Sequence, residues 1–132
     1  MMMPMKQAMQ NLLYVEKALR NGTYKAEAPM LTVLLEEALE EIKNTSFQFE
    51  VPCSSDTNIE HLKTYENLAL KYKAKLLVDI RKLQHEINKK NVNGKYCLNL
   101  VQKIIESNLY MNHVKAMIQN TSQKTKFLKL KS

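Results

Sequence analysis

Residues 56–94 read DTNIEHLKTYENLALKYKAKLLVDIRKLQHEINKKNVNG, with no proline and no glycine before Gly94. Through this stretch Ile59, Leu62, Tyr65, Ala69, Tyr72, Leu76, Ile80, Leu83 and Ile87 recur at steps of three and four. Such steps lay one stripe along a helix, and a run without breakers lets the helix continue. Ser54, Ser55, Asp56 and Thr57 offer side-chain oxygens for an N-cap. The spacing therefore predicts a helix over about 56–90, roughly 50 Å long at 1.5 Å per residue. Between Leu76 and Ile80 the stripe steps four where a strict heptad would place Asp79, as in a stutter.

Asn91, Val92, Asn93 and Gly94 follow, and Asn and Gly tolerate positive φ, so a turn is expected there. Beyond it Cys97, Leu100, Ile104, Ser107, Met111, Val114 and Ile118 keep the three-four spacing, which predicts a helix over about 95–119. Val101, Ile105 and Leu109 widen its apolar face enough for two neighbours. Residues 122–132, with Lys124, Lys126, Lys129 and Lys131 among Phe127, Leu128 and Leu130, read as a basic, flexible tail outside a single domain of 1–121.

Towards the N-terminus, Pro4 suits a first helical turn and Gly22 a helix end, bracketing a helix over about 4–21 with Met5, Ala8, Leu12, Val15 and Leu19 as its seam. Pro29 opens another helix to about Asn44, with Leu31, Leu34, Leu35, Ala38 and Ile42 on one side and Glu36, Glu37, Glu40 and Glu41 elsewhere. From Asn44 to Thr57 the pattern changes: Phe47, Phe49 and Val51 alternate with polar residues until Pro52. A connector pinned to the helices by two phenylalanines is expected, with a short strand as the alternative, since an isolated strand is marginal. The fold expected is all-α: a four-helix bundle or elongated helical hairpin whose long third and fourth helices pack as an antiparallel, coiled-coil-like pair.

The chain has 132 residues, 20 Lys or Arg against 13 Asp or Glu, and a formal charge of +7. Residues 1–26 carry +3, 27–58 carry −6, 59–91 carry +4 and 92–132 carry +6, so charge is partitioned by helix. Lys71, Lys75, Lys82 and Lys89 recur at four and seven residues and form a basic face able to track phosphates. A solvated helix face is the plainer account of the same lysines.

Catalytic patterns are scarce. With only Gly22 and Gly94, no glycine-rich phosphate loop or nucleophile elbow can be built. His61, His85 and His113 belong to no HExxH or Glu-x-x-His pattern. No catalytic, cofactor-binding or metal-ligating set is expected, and the chain is read as a non-enzyme. Cys53 and Cys97 are expected as reduced thiols, Cys97 buried on its seam. Tyr65 and Tyr72 could form an aromatic cleft with Tyr96 or Tyr110, although aromatics at helical spacing more often pack a core. No apolar run is long enough to span a membrane, and Met1–Gln7 lacks the apolar stretch and cleavage site of a secretory signal, so an intracellular location, cytoplasmic or nuclear, is expected.

The leading functional expectation is a scaffold or adaptor subunit in an intracellular assembly. Its apolar seams exceed what two short helices can cover, leaving a partner protein or a second copy to cover them. Met5, Met9, Leu12, Leu19, Phe47 and Phe49 are the interface candidates; the methionines suit an adaptable groove contact. Non-specific nucleic-acid or acidic-partner binding through Lys71, Lys75, Lys82 and Lys89 is the alternative. A secreted cytokine-like bundle with a Cys53–Cys97 bridge, and with Asn21, Asn44 and Asn120 as glycan acceptors, is a second alternative.

Overall fold

The computed structural model describes residues 6–47 and 57–131, with side chains over 7–47 and 60–120. Four helices follow in order: α1 (Lys6–Asn21), α2 (Ala28–Lys43), α3 (Thr57–Ile87) and α4 (Gly94–Lys131). There is no strand among the described residues.

Local chemistry sets the helix ends. Gly22 takes φ +77° after the last turn of α1, and the Thr23 N–H returns to the Ala18 carbonyl at 3.1 Å, a Schellman closure that only glycine adopts at low cost. Pro29 stands in the first turn of α2, where its missing N–H is harmless. Asn93 caps α4: its Oδ1 accepts the Tyr96 N–H at 3.0 Å. The positive φ expected at 91–94 is therefore not used by Gly94, which opens the helix. Its missing side chain instead makes room for Tyr24, whose hydroxyl would lie 3.0 Å from a Cβ placed there. The fourth helix also runs past the expected end near 119, to Lys131, because no glycine or proline interrupts the chain after Gly94.

Long-range hydrogen bonds fix the topology. Ala8 N–H donates to Glu41 at the end of α2, and Tyr14 donates to Glu27 just before its start, so α1 and α2 are antiparallel. Asn88 and Gln84 donate to Thr32 early in α2, while Lys73 donates to the Thr45 carbonyl just after it, so α3 runs antiparallel to α2. The helices contact in a closed square, α1 with α2, α2 with α3, α3 with α4 and α4 with α1; α3 with α4 is the most extensive pair. This is an up-and-down four-helix bundle.

Ala8, Leu12 and Val15, Leu31, Leu35 and Ile42, Leu76, Ile80 and Leu83, and Cys97, Val101 and Ile104 bring all four helices into one core. The helices differ in reach. With 16 residues, α1 and α2 span about 24 Å each, while α3 with 31 and α4 with 38 span about 47 and 57 Å. At the level of Lys73 and Lys115, α2 has ended: Thr45 accepts from Lys73, and the Lys115 ammonium sits 5.8 Å from the Phe47 ring centroid. Beyond that level, among the described residues, α3 and α4 continue as a two-helix arm. The four-residue step from Leu76 to Ile80 falls where α3 enters the four-helix layer and must face α2 as well as α4.

Candidate functional site

Two flanks of α3 have different work. Lys73, Arg81, Gln84 and Asn88 turn towards α2, where Arg81 holds Glu36 with its two terminal guanidinium nitrogens, at 2.8 and 3.4 Å. The opposite flank carries Tyr72, Lys75, Asp79 and Lys82, at steps of three and four. It meets Tyr96, Lys103 and Tyr110 of α4, spaced seven apart and hence on one side of that helix. Between the two flanks lies a groove of about 570 Å³, with Leu100, Glu106 and Ser107 completing its lining.

Tyr72 and Tyr110 stack at one end, ring centroids 5.8 Å apart and planes 16° from parallel. Tyr110 keeps 49% of its surface exposed and Tyr96 43%, so both reach solvent at the groove. Asp79 is only 9% exposed and has no hydrogen-bond or ion-pair partner among the described residues. Three lysine stems line the same space. The groove therefore offers partly exposed tyrosine rings, lysine ammonium groups and the carboxylates of Asp79 and Glu106.

Of the basic-face lysines, Lys71, Lys75 and Lys82 are exposed on α3, and Lys75 and Lys82 enter the groove. Lys89 lies just past α3 and is paired at 3.0 Å with Glu86, which also accepts the Asn93 N–H. Tyr72, Tyr96 and Tyr110 line the groove as an aromatic set, whereas Tyr65 lies outside its lining, its ring centroid 6.4 Å from that of His61. Lys103 and Asp79 were missed as site residues in the sequence. The seven-residue spacing of Tyr96, Lys103 and Tyr110 could have placed Lys103 beside the tyrosines, and the steps of four and three from Lys75 and Lys82 could have placed Asp79 on the lysine face.

The interface candidates on α1 go elsewhere. Leu12 and Leu19 are buried in the chain's own core, as is Phe47, and Met9 is half-buried, because α1 packs between α2 and α4. Leu12, Leu19 and Phe47 are core residues here rather than open surface, while Met9 lies outside that core. Met5 and Phe49 lie outside the described residues. Cys97 is a free, buried thiol, its pKa pushed up to about 11 by burial, so the Cys53–Cys97 bridge is not formed; Cys53 itself lies outside the described residues.

Among the described residues no three His, Cys, Asp or Glu side chains gather as a metal-holding group, and no helix is long and apolar enough to cross a membrane. Comparison with family models, curated proteins and solved structures gives no match to this chain.

Proposed function

We propose that this chain is a non-catalytic scaffold or adaptor subunit of an intracellular multiprotein assembly, and that it docks through its two-helix arm. The observation that carries this reading is the mismatch in helix length: α3 and α4 outrun α1 and α2, and on the arm Leu68 and Leu70 keep 38% and 46% of their surface exposed. Apolar groups on a projecting helix pair favour a protein cover over water. A photo-crosslinking residue at position 68 tests this in cells, with Val33 on α2, 56% exposed, as the control. A discrete adduct from position 68, absent from 33, is expected. Equal or absent adducts, with the full chain a monomer by sedimentation, overturn the reading.

A second reading, phosphate binding by the basic face, is favoured by Lys75 and Lys82 facing Lys103 across the groove. Counterion release then gives weak duplex binding at low salt that vanishes near physiological salt. Reversal of Lys75, Lys82 and Lys89 together should remove it.

A further inference from the structure

We propose that the end of α4, residues 124–131, docks on an anionic lipid surface. The inference goes beyond docking through the side of the arm, which concerns a protein partner and stands or falls separately.

The end of α4 outruns its neighbours. Tyr72 stacks on Tyr110 and the two helices are antiparallel, so Thr57, the first residue of α3 and fifteen before Tyr72, falls level with Thr125. The fourth helix continues from there to Lys131, about 9 Å further at 1.5 Å per residue. The second helix has already ended at the level of Lys115, and α1 begins there, since its Ala8 donates to Glu41 near the end of α2. Among the described helices none covers this stretch.

Its charge has one sign. After Glu106 the chain carries Lys115, Lys124, Lys126, Lys129 and Lys131, and no acidic residue through Ser132. Each lysine held near an anionic leaflet strengthens binding about fivefold.

The apolar residues decide which anion fits. Phe127, Leu128 and Leu130 stand among these lysines, and at 3.6 residues per turn they spread over about 160° of the helix. By the same register Lys124 and Lys131 fall inside that sector, and Lys126 and Lys129 outside it. A protein groove reads one narrow stripe and would have to bury the two lysines within the sector. A nucleic-acid backbone rewards the lysines but leaves the phenylalanine and leucines in water. The boundary between headgroups and acyl chains takes both at one depth, because lysine stems lie along apolar groups while their ammonium heads reach the phosphates. Charge and apolar contact together supply the two signals that membrane anchoring needs. The contact stays at the surface, since no described helix is long and apolar enough to cross a membrane.

The test is co-sedimentation of the full chain with phosphatidylcholine vesicles, with and without about one-third phosphatidylserine. Binding is expected only with phosphatidylserine, and it should weaken as salt rises. Lys124→Gln, Lys126→Gln, Lys129→Gln and Lys131→Gln together should lower it about 100- to 1,000-fold. Lys25→Gln, Lys43→Gln, Lys90→Gln and Lys95→Gln together remove as much charge from exposed positions elsewhere and should leave binding near wild type. Phe127→Ala with Leu130→Ala should cost about tenfold. The chain has no tryptophan, so Leu128→Trp adds a single reporter, whose emission should shift to the blue with phosphatidylserine vesicles and be quenched by brominated acyl chains. Should the first glutamine set lose helicity by circular dichroism, the tryptophan readout decides between support and refutation. Equal binding to both vesicles, equal loss from the two glutamine sets, an alanine variant that binds as wild type does, or a Leu128→Trp emission that vesicles leave unchanged overturns the inference. Binding of a DNA duplex that needs Lys124–Lys131, without binding to vesicles, identifies a nucleic-acid site and overturns it too.

Discussion

One helix, α3, runs through two environments. Over residues 73–87 it buries Leu76, Asp79, Ile80, Leu83, Gln84, Glu86 and Ile87, whereas over 60–72 only Leu62 and Ala69 are buried. The stripe of apolar residues is similar in both stretches; the number of neighbouring helices is not. Burial follows the neighbours. Where α2 and α4 both flank α3, three sides of the helix are used, polar residues included. On the arm, among the described residues, α4 alone packs on α3, and Leu68 and Leu70 are left exposed, as Val78 is on the outer side of the four-helix stretch. The two stretches should therefore differ in stability as in burial, since local opening is cheapest where apolar contacts are few.

The largest effect should come from forcing a charge into the better-covered stretch. Leu83 is fully buried, and Leu83→Asp places a carboxylate there without a partner, at a cost of roughly 4 kcal/mol or more. Urea titration should find this variant largely unfolded, while Lys82→Asp next to it, on an exposed position, shifts stability by no more than about 1 kcal/mol. Leu62→Asp makes the same change on the arm. Amide exchange should then accelerate over the start of α3 while the four-helix layer keeps its protection. If Leu62→Asp unfolds the whole chain as Leu83→Asp does, the two stretches form one cooperative unit and the contrast fails.

What sequence reveals of this molecule divides along the same line. The α3 stripe, its four-residue step and the α4 seam were legible because local periodicity alone encodes them, and Leu62, Leu76, Ile80, Leu83 and Ile87 are buried as that pattern requires. The role of α1 was not legible. Leu12 and Leu19 suit a partner's groove and a bundle interior equally, and only the docking of α1 between α2 and α4 decides between them. Asn93–Gly94 looks like a positive-φ turn, but the Asn93 side chain found a better use as a helix cap. At the groove, Tyr72, Lys75 and Lys82 follow from spacing on one helix. Lys103 faces them only through the register of two helices, which no single-helix pattern contains. Asp79 stood out in the sequence only as the place where the stripe breaks step, and its place in the groove lining is a property of the packed pair.

A buried polar side chain sharpens the comparison further. Asn108 on α4 is fully buried, and neither its Oδ1 nor its Nδ2 has a hydrogen-bond partner. Unpaired buried polar atoms cost about 1–3 kcal/mol, and an apolar replacement of similar shape removes that penalty. Asn108→Leu should therefore stabilise the chain by about 1 kcal/mol and raise the urea midpoint without changing the slope of the transition. A lower midpoint would show that the amide is satisfied by a trapped water and that the layer is better packed than its hydrogen bonds indicate.

The smallest expected effect is an acid response confined to the four-helix layer. The Glu36 carboxyl is held below the ordinary 4.5, first by the hydrogen bond from Gln84 and then by Arg81, against some desolvation. Glu86 is lowered likewise, chiefly by Lys89, with help from the Asn93 N–H. A carboxyl whose folded pKa lies below its unfolded value contributes stability above the unfolded pKa and loses it as pH falls through the folded one. Glu41 has the opposite sign: burial raises its pKa despite the Ala8 N–H, so it penalises the folded state near neutrality and relaxes that penalty as it protonates. Stability should thus fall modestly as pH drops through and below 4.5, with Glu41 offsetting part of the loss. Urea midpoints taken across the acid range should show a flatter profile for Glu36→Gln and Glu86→Gln and a steeper one for Glu41→Gln. All three braces lie beside α1 and α2 or at the α3–α4 turn. Amide exchange on the arm should therefore stay constant over the same pH range once corrected for intrinsic rates, and an arm that opens in step with the four-helix layer would erase the distinction between them.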